Sequence, residues 1–465
     1  MSLYDSLYRR VVFPVSQRRA GRRVNQALQR LTGQLQGSAD EIRSRQAAAL
    51  SETVQHARQC SPFWKQRFAE SGIDPDRVQT IGDLHSLPLL TKDEVREQLE
   101  AISDSGQATS RLAARTGGST AAPMLFYRDR ACHDFREAVR DDYWIRTGIP
   151  RHARWANVWG AMSDLGNWSG IRSRWRNRLL RRVLMIPANQ LDDRSIQGFA
   201  AELNRFCPRL LHGYSQALLL FARLMKQHNL ALPDSLVAVT ATAEPLHDDQ
   251  KTGLQDTCGV PVYRVYGTRE FGFLAGELPG HQGLMINPLN ALVEIVDAAG
   301  QPVQANQPGQ IVVTDLRNRA TPLIRYRIGD IGSWNDALGN TDLPGWSSLN
   351  IEAGRETDFV MTPEGRLVGG AGLTLIGTAG FSQLQYVQQQ PGRLTVNYVA
   401  NHRTQEADFE TLRRQLAEIV GDLEIEFQQC DRILPLASGK FQFVYSPVSR
   451  QAFATGTGPV GPAIQ

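Results

Sequence analysis

Five short segments hold the residue types that could handle a nucleotide. The first, TGGSTAAP at 116–123, combines hydroxyls with glycines. Such a stretch can turn its amide hydrogens and hydroxyls inward as a cradle for phosphate oxygens. The same composition suits a surface turn, and the missing Gly-Lys-Ser/Thr ending excludes a P-loop. The second, YGTREFG at 266–272, follows the strand-like VYRV and offers a ring for a base and a carboxylate for Mg²⁺. A turn with a core tyrosine is the plain alternative. In the third, RYRIGDIG at 325–332, Asp330 could accept from both ribose hydroxyls or sit in a salt-bridged turn. GRETD at 354–358 and SGK at 438–440 complete the set. A lysine on a Gly-preceded loop can bring a compact charge to a phosphate. Lysine occurs only at Lys65, Lys92, Lys226, Lys251 and Lys440, so a lysine inside a motif stands out.

The elements that must position these segments read as α/β. Ile42, Leu50, Val54 and Ala57 have the spacing of an amphipathic helix. In LPLLTKDEV, Thr91 can cap a helix with Glu94 closing a capping box. LLHGYSQALLLFARLM holds a helix, SLVAVTAT and VYRVYG read as strands, and ALVEIVD with GQIVVTDL as a hairpin pair. Strands interleaved with helices indicate an α/β architecture. After Gly354, GRLTVNYV, DFETLRRQLAEIV and LEIEFQQ read strand, helix, strand, a compact β-α-β module. The expected organisation is a large domain over 1–354 with a mainly helical lead-in over 1–110, a joint at 355–358 and a small domain over 359–465. No internal repeat is evident.

With 465 residues, 42% hydrophobic and 21% charged, the composition is that of an ordinary globular protein. No apolar run reaches the ~18 residues of a membrane span and no signal peptide is apparent, so a cytoplasmic protein is expected. The five cysteines, Cys60, Cys132, Cys207, Cys258 and Cys430, lack a Cys-x-x-Cys pair and read as buried thiols rather than a disulfide framework or zinc cluster. A net charge of +4 argues against a dedicated nucleic-acid binder. The Arg-rich first stretch has the charge to touch an anionic membrane or acidic partner, but reads first as a solvated helix face.

In order, the five segments resemble those of the adenylate-forming superfamily of acyl-coenzyme A synthetases, luciferases and peptide-synthetase adenylation domains. SPFWKQRFAESG, LPLLTKDEV and HQGLMINPLNALVEIVD look most like its phenylacetate-coenzyme A ligase-like branch, which includes members associated with capsular polysaccharide genes. The resemblance spans about residues 50 to 450. It implies a large adenylate-forming domain followed by a small mobile α+β domain. It also implies ATP-dependent activation of a small carboxylic acid with release of pyrophosphate, then acyl transfer to coenzyme A. An amine, hydroxyl or carrier protein as acceptor, or a non-catalytic relative that only binds nucleotide, are the alternatives.

Position by position, the resemblance implies Thr116, Gly118, Ser119 and Thr120 around the ATP phosphates, Tyr266 against adenine with Gly267 and Thr268 beside it, and Glu244 and Pro245 next to the adenine site. Glu270 would bind Mg²⁺, Asp330 grip the ribose, Arg355 hold the ribose and phosphate side at the hinge, and Lys440 bridge substrate carboxylate and α-phosphate. WGAMSD at 159–164 and HGYSQ at 212–216 are where an acyl pocket would lie, with Trp159, Tyr214 and Ser215 as candidates; an aromatic beside an apolar run is more often plain core. Gly117 and Ala121 depart from the usual phosphate loop. Leu278 and Met285 stand where relatives often have cysteine and histidine, which argues against a metal site there despite His281. The chemistry needs no protein nucleophile, because the substrate carboxylate attacks the α-phosphorus; the protein supplies alignment and positive charge.

Overall fold

The computed structural model describes residues 6–104, 106, 111–116, 124–159, 176–191, 193–244, 246–335, 343–353, 359–365, 367–369, 373, 381–400, 404–434 and 442–449. The chain opens with helices α1 (Phe13–Arg19), α2 (Val24–Gln34), α3 (Ala39–Cys60), α4 (Pro62–Glu70) and α5 (Lys92–Ile102). Helix α3 starts in a capping box, Ser38 N–H donating to Glu41 Oε2 at 2.7 Å and Glu41 N–H to Ser38 Oγ at 3.3 Å. The expected box at α5 is present as well: Thr91 N–H donates to Glu94 Oε2 at 2.8 Å and Glu94 N–H to Thr91 Oγ1 at 3.2 Å. Each box satisfies amide groups that a helix start leaves unpaired. Ile42, Leu50, Val54 and Ala57 of α3 are buried, as their spacing predicts.

Strands β1 (Leu112–Arg115) and β2 (Leu125–Arg128) form a separate antiparallel pair, followed by α6 (Arg130–Arg146). Then β3 (Trp155–Trp159), β4 (Val183–Pro187), helix α7 (Ile196–Phe206), β5 (Leu210–Tyr214), α8 (Ser215–Gln227), β6 (Ala238–Thr242), α9 (Asp248–Cys258) and β7 (Val262–Thr268) alternate. The parallel half of the sheet, in order β4-β3-β5-β6-β7, is built from these crossovers. LLHGY, read from sequence as part of a helix, is β5, and the helix starts at Ser215. Its residues are buried with both faces covered, which leaves no alternation to betray a strand.

Antiparallel strands complete the other half: β8 (Gly272–Gly276), β9 (Leu284–Ile286), β10 (Ala291–Val296), β11 (Gly309–Asp315), β12 (Tyr326–Trp334) and β13 (Ser347–Ala353). The eleven-stranded order is β10-β11-β12-β13-β9-β8-β7-β6-β5-β3-β4. The expected β10–β11 pair is there, Ala291 opposite Asp315. β7 is the seam, parallel to β6 on one side and antiparallel to β8 on the other. One core joins the lead-in helices to this sheet: Trp64 and Phe68 of α4 pack with Leu316, Leu323 and Tyr326, and Trp64 Nε1 donates to the Pro322 carbonyl at 3.0 Å.

Beyond residue 358, β14 (Phe359–Met361) pairs with β15 (Leu367–Gly369). Strands β16 (Phe381–Gln390), β17 (Arg393–Ala400), β18 (Glu424–Gln429) and β19 (Val444–Tyr445), with helix α10 (Glu406–Val420), form a four-stranded sheet ordered β18-β17-β16-β19. Leu412, Leu416 and Val420 of α10 close a core drawn wholly from residues 360–444. The β-α-β module read from sequence is β17-α10-β18, with β16 and β19 added at its side. The whole is a mixed α/β fold, a large sheet domain followed by a smaller C-terminal one.

Candidate active site

The segment containing Thr116 is held by its own short hairpin. Thr116 N–H donates to the Met124 carbonyl at 2.9 Å, and Met124 N–H donates to Thr116 Oγ1 at 2.9 Å, so one residue pair clamps the two ends of 117–123. β2 is fixed to the turn after β11. Tyr127 N–H donates to Thr321 Oγ1 at 3.1 Å and Asn318 Nδ2 to the Tyr127 carbonyl at 2.8 Å. Gly118, Ser119 and Thr120 lie outside the described residues, as do Pro245, Arg355, the joint at 355–358 and Lys440.

The buried Glu270 is linked to that clamp through Tyr326. The Tyr326 hydroxyl donates to Glu270 Oε1 at 3.2 Å and touches Met124 Sδ at 3.7 Å. Burial, with the Glu270 charge adding to it, holds the Tyr326 phenol well above its ordinary value, so it stays a proton donor to the carboxylate. Tyr326 belongs to the RYRIGD segment, and its part in orienting Glu270 is not visible from sequence, where it reads as a core aromatic.

Tyr266 and Asp330, both half-buried, meet in the same region. The Tyr266 hydroxyl donates to Asp330 Oδ2 at 2.7 Å across a separation of 64 residues. Tyr266 lies in β7, as the strand reading of VYRVYG has it, though the strand continues to Thr268, and Asp330 lies within β12 rather than in a turn. β7 and β8 approach closely at Gly267, where a Cβ would fall 2.5 Å from the Gly272 carbonyl, and Thr268 Oγ1 accepts from Phe271 N–H at 3.2 Å across the turn. Gly329 has φ +94°, a conformation glycine adopts without steric cost, and a Cβ there would be 3.8 Å from Lys92 Nζ. Lys92, at the start of α5, thus sets a positive charge beside Gly329, the neighbour of Asp330 in β12. The scarcity of lysine was the only sign of it in the sequence.

Arg325, the first residue of the segment, is structural. It is 1% exposed and pairs with Glu294 through Nη2 at 3.0 Å. It also donates to the carbonyls of Leu84, His85, Leu87 and Gly300. A guanidinium has enough donors for such a hub, and here it ties the lead-in to the sheet. The left-handed backbone of Arg325, φ +48°, is held from both sides: its carbonyl accepts from Leu90 N–H and its N–H donates to Thr314 Oγ1, each at 2.9 Å.

Glu244 follows β6 and accepts from Gln216 N–H at 3.0 Å, a carboxylate at the positive end of α8. The buried Ser215 hydroxyl donates to the Glu244 carbonyl at 2.8 Å. Ser215 therefore braces the Glu244 segment rather than opening toward a ligand. Trp159 and Tyr214, ends of neighbouring strands, have ring centroids 4.3 Å apart. His212 stacks on Trp159 at 5.8 Å and bonds Thr240 Oγ1 through Nδ1 at 2.8 Å. Burial pushes the His212 pKa down to about 4, so the ring is neutral at ordinary pH. Much of this cluster is core: Tyr214 belongs to the apolar cluster under the parallel half, with Trp159 packed on it.

Cys132 and Cys258 are buried, but Cys60, Cys207 and Cys430 are part-exposed, contrary to the expectation for all five; all are free thiols. His56, Cys60 and Asp104 lie near one another. The thiol faces His56 Nδ1 at 3.8 Å, whereas the carboxylate and the Arg319 carbonyl face Nε2 at 3.5 and 3.0 Å. One donor atom from each of the three side chains lies within 4.8 Å of the other two, and with the Arg319 carbonyl they join α3 to the segments after α5 and β11.

No protein-family model matches the chain. In sequence it is similar to the protein CapK of Staphylococcus aureus, 23% identical over 326 residues, 70% of either chain. It is also similar to the phenylacetate-coenzyme A ligase of Escherichia coli, 24% identical over 305 residues that cover 63% of this chain and 67% of that one. In structure it matches 2-hydroxyisobutyryl-CoA ligase in its postadenylation state with 2-HIB-AMP. The TM-score is 0.68 at 18% identity, covering 89% of this chain and 91% of the other. Against the thioesterification state of the same ligase the TM-score is 0.55. The chain has the fold of the adenylate-forming coenzyme A ligases, and its sequence is similar to the phenylacetate-coenzyme A ligase-like branch.

Proposed function

We propose that this chain activates a carboxylic acid with ATP and transfers the acyl group to coenzyme A. The observation that carries the reading is the convergence of three distant segments: the Thr116–Met124 clamp, Glu270 linked to it through Tyr326, and Tyr266 bonded to Asp330. The sequence similarity to phenylacetate-coenzyme A ligases and the fold shared with a ligase bound to an acyl-adenylate support it.

In this reading the substrate carboxylate oxygen attacks the α-phosphorus, the bond to the β-phosphate oxygen breaks, and pyrophosphate leaves. Thr116 with Gly118, Ser119 and Thr120 receives the phosphates, Asp330 the ribose, and Tyr266 with Gly267 and Thr268 the adenine, with Glu244 and Pro245 beside it. Glu270 is a fit ligand for Mg²⁺, being an oxygen donor whose orientation Tyr326 fixes. The bound ion would screen the phosphate charge. Arg355 holds the ribose and phosphate side at the hinge, and Lys440 adds positive charge where the carboxylate meets the α-phosphate. In the second half-reaction the coenzyme A sulfur attacks the acyl carbonyl, its proton passes to solvent and AMP departs. Residues 355–358 serve as the hinge between a large domain ending at 354 and a small one over 359–465. The 2-hydroxyisobutyryl-CoA ligase that shares the fold has postadenylation and thioesterification states, and this chain matches the former better. For the acyl group we assign the strand ends around Trp159 and Tyr214, with the neutral His212 as a polar contact. Ser215 stands behind that wall.

The test is ATP–pyrophosphate exchange over a panel of aryl, fatty, amino and sugar acids, followed by chromatography for the coenzyme A thioester. Exchange with one acid class and a thioester product is expected. Exchange without thioester would turn the reading to an amine, hydroxyl or carrier acceptor; AMP binding with no exchange, to a non-catalytic relative.

A further inference from the structure

Two Arg-rich segments far apart in sequence touch on one surface. The Tyr8 hydroxyl donates to the Leu180 carbonyl at 2.7 Å, and the Arg182 guanidinium lies 4.8 Å over the Tyr8 ring. Tyr8 is buried, and Phe13 packs on His152 with ring centroids 4.3 Å apart. These contacts fix the inner face of the first helical segment. Its outer face is apolar: Leu7, Val11 and Val15, spaced every four residues, are 52%, 48% and 41% exposed. On the second segment Leu179 and Leu180 are 44% and 45% exposed. Together these are five of the seven exposed large hydrophobics among the described residues, which is concentration rather than the usual scatter.

Within the two segments themselves the charge is of one sign. No aspartate or glutamate occurs between Ser6 and Ala39, a stretch holding seven arginines, nor between Leu165 and Leu191, which holds six. Arg9, Arg10, Arg18 and Arg19 make no ion pair among the described residues, although other surface arginines do, Arg178 pairing with Glu202 at 3.1 Å. Unpartnered guanidinium groups beside exposed aliphatic side chains match a surface that is anionic at its headgroups and apolar just below. A nucleic acid would use the arginines and leave the Leu7–Val11–Val15 stripe in water.

We propose that this face docks the protein on an anionic lipid bilayer, Leu7, Val11 and Val15 entering the headgroup boundary while the flanking arginines meet lipid phosphates. The binding is peripheral, and it is independent of the adenylation chemistry. The experiment is sedimentation of the full chain with vesicles of phosphatidylcholine alone or mixed with phosphatidylglycerol. Retention on the mixed vesicles only, weakened by salt, is expected. Arg9→Gln with Arg10→Gln, Arg18→Gln and Arg19→Gln should lower partitioning at least about tenfold, since one arginine near such a surface contributes about fivefold. Val11→Gln with Val15→Gln should lower it as well, with thermal melting little changed because both residues are already about half exposed. Failure to bind the mixed vesicles, equal binding to neutral ones, or no effect of the valine substitutions would overturn the proposal. So would tighter binding to a duplex oligonucleotide than to vesicles.

Discussion

The Tyr266 hydroxyl and Asp330 Oδ2, 2.7 Å apart, couple the strand at the sheet's seam to the strand that also supplies Tyr326. Each residue holds the other in place, so a ring and a carboxylate proposed to act on one nucleotide are oriented before it arrives.

Asp330→Ala is expected to weaken AMP or ATP binding by roughly ten- to a hundredfold, because hydrogen bonds to a charged acceptor are worth about 1.5 to 3 kcal/mol. Calorimetric titration gives the affinity and thermal melting the stability. Unchanged affinity with a clearly lowered melting temperature would reduce the pair to a structural strut.

Arg325→Met leaves Glu294 buried without its cation and four carbonyls without their donor. Breaking a buried pair from one side costs about 3 to 5 kcal/mol, so the midpoint of denaturant unfolding should drop sharply. Double replacement with Glu294→Leu should recover part of the loss. If Arg325→Met unfolds at the wild-type midpoint, the hub assignment is wrong.

His212 has its pKa lowered to about 4 by burial, against about 6.5 in an unfolded chain. The unfolded state therefore binds the proton first. The stabilisation is complete above about pH 6.5 and is lost as pH falls toward 4, with a size of order 2 kcal/mol once solvent access to the part-buried ring is allowed for. His212→Gln should flatten the melting-temperature profile over that window. A profile of identical slope in the variant would show that other groups set it.

Lys440→Ala is expected to slow pyrophosphate exchange by roughly 10² to 10³, the usual loss of one preorganised charge contact. Acyl transfer from a supplied acyl-adenylate should be nearly intact, because the rotated small domain would carry Lys440 away. Equal loss in both assays would falsify the two-arrangement account; no loss in either would make the lysine a solvated surface residue.

What the sequence made legible was local. The Thr91–Glu94 box, the buried stripe of α3 and the β10–β11 hairpin each follow from patterns within a dozen or so residues. β5 was hidden because LLHGY is apolar without alternation and runs straight into α8. Tyr266 and Asp330 were identified by motif, but their mutual bond was not, since no local pattern reports which strands of a mixed sheet lie near each other. The same holds for Tyr326 bonded to Glu270 and for Lys92 beside Gly329. Arg325 carries no reading of its own in the sequence, and only burial reveals it as a structural hub. The exposed stripe beside the first arginines was likewise out of reach, because a helical pattern does not say which face the fold covers.

The packing of α4 against residues 316–326 has a consequence for biosynthesis. As the chain leaves the ribosome, Trp64 and Phe68 are made some 250 residues before the partners that cover them, at ~5–20 residues per second. For that interval the lead-in helices present an uncovered aromatic face, and the Glu270–Tyr326 contact cannot exist. A nascent chain arrested before Tyr326 should therefore engage hydrophobic-binding chaperones strongly, and one arrested after the β13 segment has emerged should release them.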